Sequence, residues 1–327
     1  MVEMVARPYA SAFENYITQH PEVIALSADL TSSVEIDGIR DRHPEQFLSM
    51  GMAEQNMLSF AGGMGLAGLR PFIHTFGVFL YRRPYDQLMA SIAYPRRKVR
   101  LMGFLPGITT PGGMTHQAIE DISVMRAIPN MTVLETGDAT EVDGIVEAAD
   151  SIDGPVYCRV LRGSVPRLFD TPLKVGEMRV LSEGSDVLVV TAGITTEEAI
   201  RARGALDAAG VSVRHLLDAE AIVAHAASVR HGVVTLENHV IAGGIGSMVA
   251  EALAEAGLGK RLIRLGLQDT YAHGGSRPYL MRYYGLDAMA LVQGIERLTG
   301  EETGIDESAL EAVRVDAVHS NVKAEAL

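Results

Sequence analysis

One carboxylate, Glu54, stands in a segment of apolar and uncharged residues, Met50 to Met57. The apolar run from Phe47 to Met50 is typical of a short buried strand, and the spacing that follows predicts a tightly packed helix containing Leu58, Phe60, Ala61, Met64 and Leu66. Glu54 is therefore expected at a helix start near the carboxyl end of a strand, where α/β proteins gather their ligands. Loss of water there raises the pKa of a carboxyl group. A carboxyl that is protonated near neutral pH can donate a hydrogen bond to a ring nitrogen and later take the proton back.

Other side chains could act beside Glu54, and each also has a structural interpretation. Glu54 itself could be a first-turn charge that the helix dipole favours. Phe76 and Phe79 lie three residues apart on one side of a predicted helix start, where they either pack in the core or form a stacking platform for an aromatic ring. His116 follows a glycine-rich loop and precedes a helix, a place where a histidine is less often a core residue.

Two arginines lie at the ends of predicted elements. Arg7 opens the first helix, and Arg162 ends a strand. Each is either a solvated charge or a clamp for an anionic group of a substrate. The glycines at 62, 63 and 65 fall inside a helix pattern, so they do not make a dinucleotide fingerprint, and the sequence contains no phosphate loop ending in Gly-Lys-Ser/Thr.

Alternating strands and helices must position these residues. In the first half the pattern predicts strands 23–26, 47–50, 70–74, 99–103, 131–134 and 156–161. It predicts helices over 4–17, from 54 to about 69, over 76–93 with an interruption near Pro84, and over 118–127 and 140–149. This alternation predicts a mostly parallel sheet that helices cover on both faces.

A break in the pattern divides the chain. Prolines and glycines between 165 and 185 indicate a linker over 166–185, and we predict domains over 1–165 and 186–327. The second domain is predicted to contain strands 187–191, 211–216, 232–236 and 262–265, with helices 196–209, 219–227, 244–256 and 288–298. The last ~25 residues are acidic and weakly periodic, which indicates a terminal helix with a loose end.

Composition narrows the class of function. The 327 residues carry a net charge of −13, which argues against a nucleic-acid partner, since such a partner calls for a basic face. The single cysteine, Cys158, lies in an apolar run and is predicted to be a buried strand residue. The first residues show no basic-then-apolar pattern, and no apolar run approaches the ~20 residues of a membrane span, so we predict a soluble, cytoplasmic protein without a membrane partner.

Seven short motifs, by their order and spacing, resemble one family. They are Ser27-Ala28-Asp29-Leu30, Met52-Ala53-Glu54-Gln55-Asn56-Met57, Thr75-Phe76 with Phe79, Tyr85-Asp86-Gln87, Thr115-His116-Gln117, Ile128-Pro129-Asn130-Met131 and Thr235-Leu236-Glu237-Asn238-His239. To about Gly300 the chain resembles the C-terminal half of a transketolase, a pyrimidine-binding domain followed by the transketolase C-terminal domain. Such halves occur as separate subunits in split transketolases. The resemblance implies an α/β fold with two consecutive three-layer domains and mostly parallel sheets.

The resemblance also implies thiamine diphosphate chemistry, in which the protein positions and tunes the cofactor. Glu54 matches the family glutamate that hydrogen-bonds the pyrimidine N1′ and so promotes loss of the proton from the thiazolium C2. Phe79, helped by Phe76, would stack on the pyrimidine. Asp29 would lie near the thiazolium.

The substrate residues are implied in the same way. His116 would contact the hydroxyl groups of the ketose donor, and it is counted with Glu54 as catalytic. Arg7, Ser33 and Arg162 match family positions that bind the phosphate of the acceptor. The implied reaction is the transfer of a two-carbon ketol unit from a ketose phosphate to an aldose.

Two departures from the family pattern fall in the loop before His116. The loop is one residue shorter than usual, Leu105 stands where a histidine is expected, and Gly112 stands near an expected aspartate. Both missing groups recognise the sugar in the family. We therefore expect an unusual ketose, one that is branched, deoxy or carries another anion.

The Gly-Asp-Gly motif that holds the diphosphate through a divalent metal is absent, because Gly137-Asp138 is followed by Ala139. We therefore predict no metal site in this chain, and a Mg²⁺ or Ca²⁺ ion bound mainly by a separate N-terminal subunit. The cofactor is expected at the interface of an α2β2 assembly in which this chain is β. The chain alone is expected to be inactive.

Two other functions remain open. The β subunit of a 2-oxoacid dehydrogenase E1 component has the same length and domain order, but Glu54-Gln55-Asn56 and Thr115-His116-Gln117 look transketolase-like. Leu105 and Gly112 also leave open a degenerate, non-catalytic partner subunit, although Glu54, Phe76 and Phe79 argue against it.

Overall fold

The computed structural model describes residues 2–206, 211–215 and 219–311. The chain forms two compact units, and the boundary between them along the sequence lies between Leu173 and Lys174. Each unit is built on one open sheet, and the predicted α/β fold with mostly parallel sheets is confirmed. None of the helices in the described part of the chain is long and apolar enough to cross a membrane.

The first unit contains a six-stranded parallel sheet. Its strands are β2 (Val23–Ser27), β3 (Phe47–Ser49), β4 (Arg70–Phe76), β5 (Arg100–Phe104), β6 (Thr132–Glu135) and β7 (Val156–Val160), while β1 (Met4–Ala6) and β8 (Ser164–Pro166) form a separate antiparallel pair. The order across the sheet is β3-β2-β4-β5-β7-β6. The chain thus leaves β2 toward one side, forms β3 and returns to form β4 on the other side. The carboxyl ends of β2 and β4 flank this reversal, which is where ligands bind in open α/β sheets.

Helices flank the sheet of the first unit. They are α1 (Pro8–Gln19), α2 (Asp37–Arg42), α3 (Glu54–Leu66), α4 (Gly77–Tyr81), α5 (Tyr85–Gln87), α6 (Asp121–Arg126) and α7 (Ala139–Ser151), with a π-helical segment, Leu88–Ala93, and single 3₁₀ turns at Pro44–Gln46 and Gly113–Thr115. Helix α3 lies very close to the π-helical segment. A Cβ at Gly62 would come within 2.4 Å of the Ser91 carbonyl oxygen, so this approach requires glycine.

The second unit contains a five-stranded sheet in the order β13-β12-β10-β11-β9. Its strands are β9 (Arg179–Ser182), β10 (Val187–Thr191), β11 (Val211–His215), β12 (Gly232–Val240) and β13 (Arg261–Leu267), and only β9 is antiparallel to its neighbour. The helices are α8 (Thr195–Leu206), α9 (Ala219–Ser228), α10 (Ile245–Glu255), α11 (Arg277–Tyr283), α12 (Ala288–Thr299) and α13 (Glu307–Glu311).

Several sequence predictions need correction. Residues 4–6 form a strand instead of the first turn of a helix, because they pair with residues 164–166 far along the chain. The predicted buried strand at 47–50 is an exposed edge strand with Leu48 39 % exposed, and the following helix leaves Phe60 46 % and Leu66 67 % exposed. The segment interpreted as a linker contains β9, which joins the second sheet.

Other sequence predictions agree with the structure or lie outside its described part. Cys158 is buried on β7, as predicted, and burial raises the pKa of its thiol to about 12. The pattern analysis missed two helices, α2 and α11. The predictions for residues 207–210, for Leu216 and for 312–327 fall outside the described residues.

Candidate functional site

Glu54 and two aromatic rings meet at the carboxyl edge of the first sheet. Glu54 is the first residue of α3 and only 4 % exposed. Phe76 ends β4, and Phe79 lies one turn later in α4, with the two ring centroids 5.9 Å apart and the rings tilted by 26°. Gly77 makes this strand-to-helix turn possible, because a Cβ there would lie 2.9 Å from the Tyr157 hydroxyl.

A basic residue that the sequence analysis missed completes this group. Arg83 Nη1 donates a hydrogen bond of 2.7 Å to Glu54 Oε1, and its guanidinium carbon lies 4.2 Å from the centroid of the Phe79 ring. The sequence neighbours of Glu54 are uncharged, but its spatial neighbour is an arginine. Arg83 is 29 residues away along the chain, so local sequence around Glu54 carried no signal for it.

His116 faces the same two rings. Its ring centroid lies 6.0 Å from that of Phe76 and 5.9 Å from that of Phe79. The Thr115 hydroxyl is 2.8 Å from His116 Nδ1. A Cβ at Gly112 would lie 3.0 Å from the Cβ and Cγ atoms of His116, so the glycine found in place of the expected aspartate lets the histidine fold back over its own loop.

Arg82 anchors the loop that carries His116. Its guanidinium binds both carboxylate oxygens of Glu120, at 2.6 and 2.8 Å. It also donates to the carbonyl oxygens of Met114 and Gln117, at 2.8 and 3.2 Å. The consecutive arginines 82 and 83 therefore bind two different parts of the site.

The contacts continue toward the predicted anion-binding residues. The Arg162 guanidinium carbon lies 5.8 Å from the centroid of Phe76, and Arg162 Nη1 donates a hydrogen bond of 2.8 Å to the Ser33 carbonyl oxygen. The Ser33 hydroxyl has no role in that bond. Leu105, in place of the expected histidine, is buried and adopts a left-handed backbone conformation with φ of 56°.

Two acidic residues stand among these arginines. The Arg7 side chain forms an ion pair with Asp37, while its backbone N–H donates to the Gly163 carbonyl oxygen at 2.6 Å. The Gly163 N–H in turn donates to the buried Glu35 at 2.6 Å. Burial raises the pKa of Glu35. The sequence analysis singled out the arginines and missed both carboxylates.

The structure thus connects most of the predicted site residues, all within the first unit. Contacts run from Glu54 through the Arg83 side chain to Phe79, and from there through His116 and Phe76 to Arg162 and Ser33. Arg7 joins them through its backbone, but its side chain binds Asp37. Asp29 lies just past the end of β2, exposed, in a left-handed conformation with φ of 63°. No described contact links Asp29 to the other predicted site residues.

A buried charge network lies beneath the site. Arg159, on β7, donates to Asp121 at 2.9 Å, to Glu135 at 2.5 Å and to the Ala118 carbonyl oxygen at 3.1 Å. The Tyr157 hydroxyl donates to the same Asp121 oxygen at 2.6 Å. These bonds join β6 and β7 to α6, and so support the end of the loop that carries His116.

The pair of Glu54 and Phe79 fits a flat, nitrogen-rich ring. A planar group with N–H donors, the Arg83 guanidinium, already rests against the carboxylate and over the aromatic face. The described residues offer no comparable site for a metal ion. Within residues 2–206, 211–215 and 219–311, no group of three or more histidine, cysteine, aspartate or glutamate side chains could hold an ion.

Comparison with known proteins identifies the same architecture. Residues 5–167 match the domain described as "Transketolase, pyrimidine binding domain", and residues 176–291 match "Transketolase, C-terminal domain". The chain is 35 % identical over 305 residues to a "Putative uncharacterized transketolase family protein y4mN" of Sinorhizobium fredii, covering 90 % of this chain and 88 % of that protein. It is 34 % identical over 301 residues to the "6-deoxy-6-sulfo-D-fructose transketolase subunit SqwH" of Clostridium sp. strain MSTE9, covering 89 % and 93 %.

A solved structure is also similar. It is titled "Split gene transketolase, inactive beta4 tetramer" and superimposes with a TM-score of 0.80 at 34 % identity, covering 90 % of this chain and 97 % of that one. Both the sequence matches and this superposition extend across both units of the chain.

Proposed function

The chain belongs to the transketolase family, and from this premise we propose that it is the C-terminal, or β, subunit of a split transketolase. The proposed reaction transfers a two-carbon ketol unit from a ketose to an aldose. Its support comes from relatives that are named as subunits or as a split-gene product and that have nearly the same length as this chain. The observation that carries the proposal is that one planar N–H donor, the Arg83 guanidinium, contacts both the buried Glu54 carboxylate and the Phe79 ring.

Thiamine diphosphate, when bound, would supply the nucleophilic carbon for this reaction. Glu54 would hold and exchange a proton at the pyrimidine N1′, a task that suits a carboxyl group shielded from water. Phe79, with Phe76 behind it, would orient the pyrimidine by stacking. Asp29 would lie at the thiazolium side.

The remaining residues would bind the sugar. His116 is half-buried beside both aromatic rings, where its Nε2 can reach the hydroxyl groups of a donor, since Nδ1 faces Thr115. Arg162, with Arg7 and Ser33, would face the distal end of the substrate. Leu105, which is buried and lines a small cavity together with Arg162, would add an apolar side chain behind this end of the site.

The distal end of the substrate would carry no more than one negative charge. Asp37 pairs with Arg7, and Glu35 lies close by, so this end of the site has less positive charge than a phosphate dianion favours. The relative from Clostridium is named for a sugar with a sulfonate at C6, which is a singly charged group. We therefore propose a deoxy ketose with a singly charged or neutral terminal group as the donor.

A separate N-terminal subunit would supply the diphosphate and metal site in an α2β2 assembly. This follows from the missing Gly-Asp-Gly motif in the sequence. It predicts that the chain alone does not turn over substrate. Magnesium is the expected ion, held by oxygen ligands of that subunit and of the diphosphate.

Co-expression with a candidate N-terminal subunit tests this function. The purified mixture is titrated with thiamine diphosphate and Mg²⁺ while near-ultraviolet circular dichroism is recorded. Ketol transfer is then measured from fructose 6-phosphate, 6-deoxy-6-sulfofructose and fructose, and a 2-oxoacid is offered with lipoamide.

Three results are informative. Cofactor binding and ketol transfer only in the mixture, fastest with the sulfonate or neutral sugar, would support the whole proposal. Decarboxylation of the 2-oxoacid with lipoamide reduction would replace it by the E1 function. If the two subunits associate but their complex binds no cofactor, the proposed activity would be replaced by a non-catalytic role for this chain.

A further inference from the structure

Arg83 follows directly after the arginine that anchors the His116 loop, yet the two side chains differ in their surroundings. Arg82 is three-quarters buried and makes four hydrogen bonds with fixed acceptors. The Arg83 side chain is 51 % exposed, and its described contacts are with Glu54 and the face of Phe79, while its backbone carbonyl accepts a hydrogen bond from Gln55. Arg83 can therefore move into water without breaking the loop, whereas Glu54, buried at the start of α3, cannot follow it.

Arg83 makes the same two contacts that the proposed function assigns to the aminopyrimidine ring. It donates an N–H to the Glu54 carboxylate at 2.7 Å and lies 4.2 Å from the centroid of Phe79. The Glu54 carboxylate could accept a second hydrogen bond, but two planar groups cannot stack on the same face of the Phe79 ring at once. Either Arg83 or the ring can occupy this place.

We propose that Arg83 is a displaceable counter-ion: it neutralises the charge of Glu54 in the cofactor-free subunit, and it moves away from Glu54 when thiamine diphosphate binds. A buried carboxylate without a partner is costly, so Arg83 stabilises the free chain. The same contact must be given up on binding, so Arg83 weakens the affinity for the cofactor. This inference rests on the proposed function.

The test compares Arg83→Gln with Arg40→Gln. Arg40 is a matched control, since its side chain is also 51 % exposed and also pairs with a carboxylate, that of Asp41. For the cofactor-free chain the thermal unfolding midpoint is measured. For the complex with its N-terminal subunit, the dissociation constant of thiamine diphosphate with Mg²⁺ is measured by calorimetry.

We expect Arg83→Gln to lower the unfolding midpoint of the free chain and to tighten cofactor binding about tenfold, the effect of one hydrogen bond to a charged group. Arg40→Gln should change neither. The gain in affinity should disappear in the Glu54→Gln background, because Arg83 then has no carboxylate to release.

Other outcomes overturn the inference. A lower midpoint with unchanged affinity would make Arg83 a structural ion-pair residue only. Weaker cofactor binding would mean that Arg83 stays and helps to hold the cofactor. If wild-type complex binds the cofactor and either result is obtained, the proposed function stands without this inference. If wild-type complex binds no cofactor, both fail.

Discussion

At the scale of single residues, the site consists of charged groups whose partners decide what they can do. Glu54 is buried and paired with Arg83, and Arg7 is paired with Asp37. Neither pairing follows from the identity of the residue alone. The chemistry proposed for each residue therefore depends on whether its present partner can be released.

Glu54→Gln should abolish most of the activity and leave the fold intact. Glutamine keeps the shape and a hydrogen bond but cannot exchange a proton, so turnover should fall by roughly two to four orders of magnitude. The measurement is the initial rate of ketol transfer together with the unfolding midpoint. Glu45→Gln is the control, since Glu45 is an exposed first-turn glutamate of a 3₁₀ helix. Equal, small losses in both variants would mean that Glu54 is only a first-turn charge.

Asp37→Asn should improve the use of phosphorylated ketoses. Removing the carboxylate frees Arg7 for an anionic substrate, so the KM for a ketose phosphate should fall about threefold to tenfold, with a smaller change for a neutral ketose. Steady-state kinetics on both sugars measures this. Asp41→Asn provides a control on the same helix, because Asp41 pairs with Arg40 instead. An unchanged preference would place the distal group of the substrate away from Arg7.

At the scale of elements, two neighbouring segments hold the site in place. The bend after α4 presents Arg82 to the His116 loop and Arg83 to the start of α3. The loop itself folds back on Gly112, and the buried network of Arg159 and Asp121 supports its far end. The position of His116 is therefore a property of the loop and of its anchors.

Gly112→Ala should displace His116 without unfolding the protein. The backbone at Gly112 is right-handed, with φ of −67°, so alanine is tolerated there, but its Cβ would press on the His116 ring. We expect kcat/KM to fall about tenfold, while the unfolding midpoint changes little. Gly63→Ala is the matched control, because a Cβ at Gly63 meets nothing within 4 Å. Full activity of Gly112→Ala would show that His116 does not need its present position.

At the scale of the whole molecule, stability depends on titratable groups that become buried when the chain folds. His74, on β4, is fully buried, and its Nε2 lies 2.7 Å from the Tyr9 hydroxyl. Burial lowers the pKa of His74 from 6.5 to about 3. The folded chain therefore keeps this ring neutral at a pH where the unfolded chain protonates it.

Stability should consequently fall in mild acid. Above pH 6.5 His74 is neutral in both the folded and the unfolded chain. As the pH falls from 6.5 toward 3, the unfolded chain gains a proton at His74, and the free energy of unfolding decreases by up to about 1.4 kcal/mol per pH unit. Urea unfolding of the wild type and of His74→Gln at pH 7, 6 and 5 measures it. The variant should be less stable at pH 7 but should lose less on acidification. His20→Gln, at a half-exposed site, should keep the wild-type slope, and an equal slope in His74→Gln would contradict the assignment.

Much of the fold could be predicted from sequence because it follows from short-range patterns. Apolar runs of strand length and 3.6-residue periodicity depend only on neighbouring residues, so β2, β4, β5, β7 and most helices were predicted to within a few residues. The errors lie where distant segments decide. Residues 4–6 become a strand only through pairing with 164–166, and β3 is exposed because it lies at the edge of the sheet.

For the candidate site, the sequence by itself determined the family, the residue types and their order. Glu54, Phe76, Phe79 and Arg162 stand at strand ends or helix starts, and His116 stands in a glycine-rich loop, positions that the local sequence pattern identifies. Only the tertiary structure decided their partners. The contacts of Arg83 with Glu54 and of Asp37 with Arg7 join segments that are 29 and 30 residues apart along the chain, whereas Gly112 lies against His116 within one folded loop. The physical reason is that a parallel sheet brings the ends of strands that are distant in sequence to one place, and charge interactions depend on distance in space.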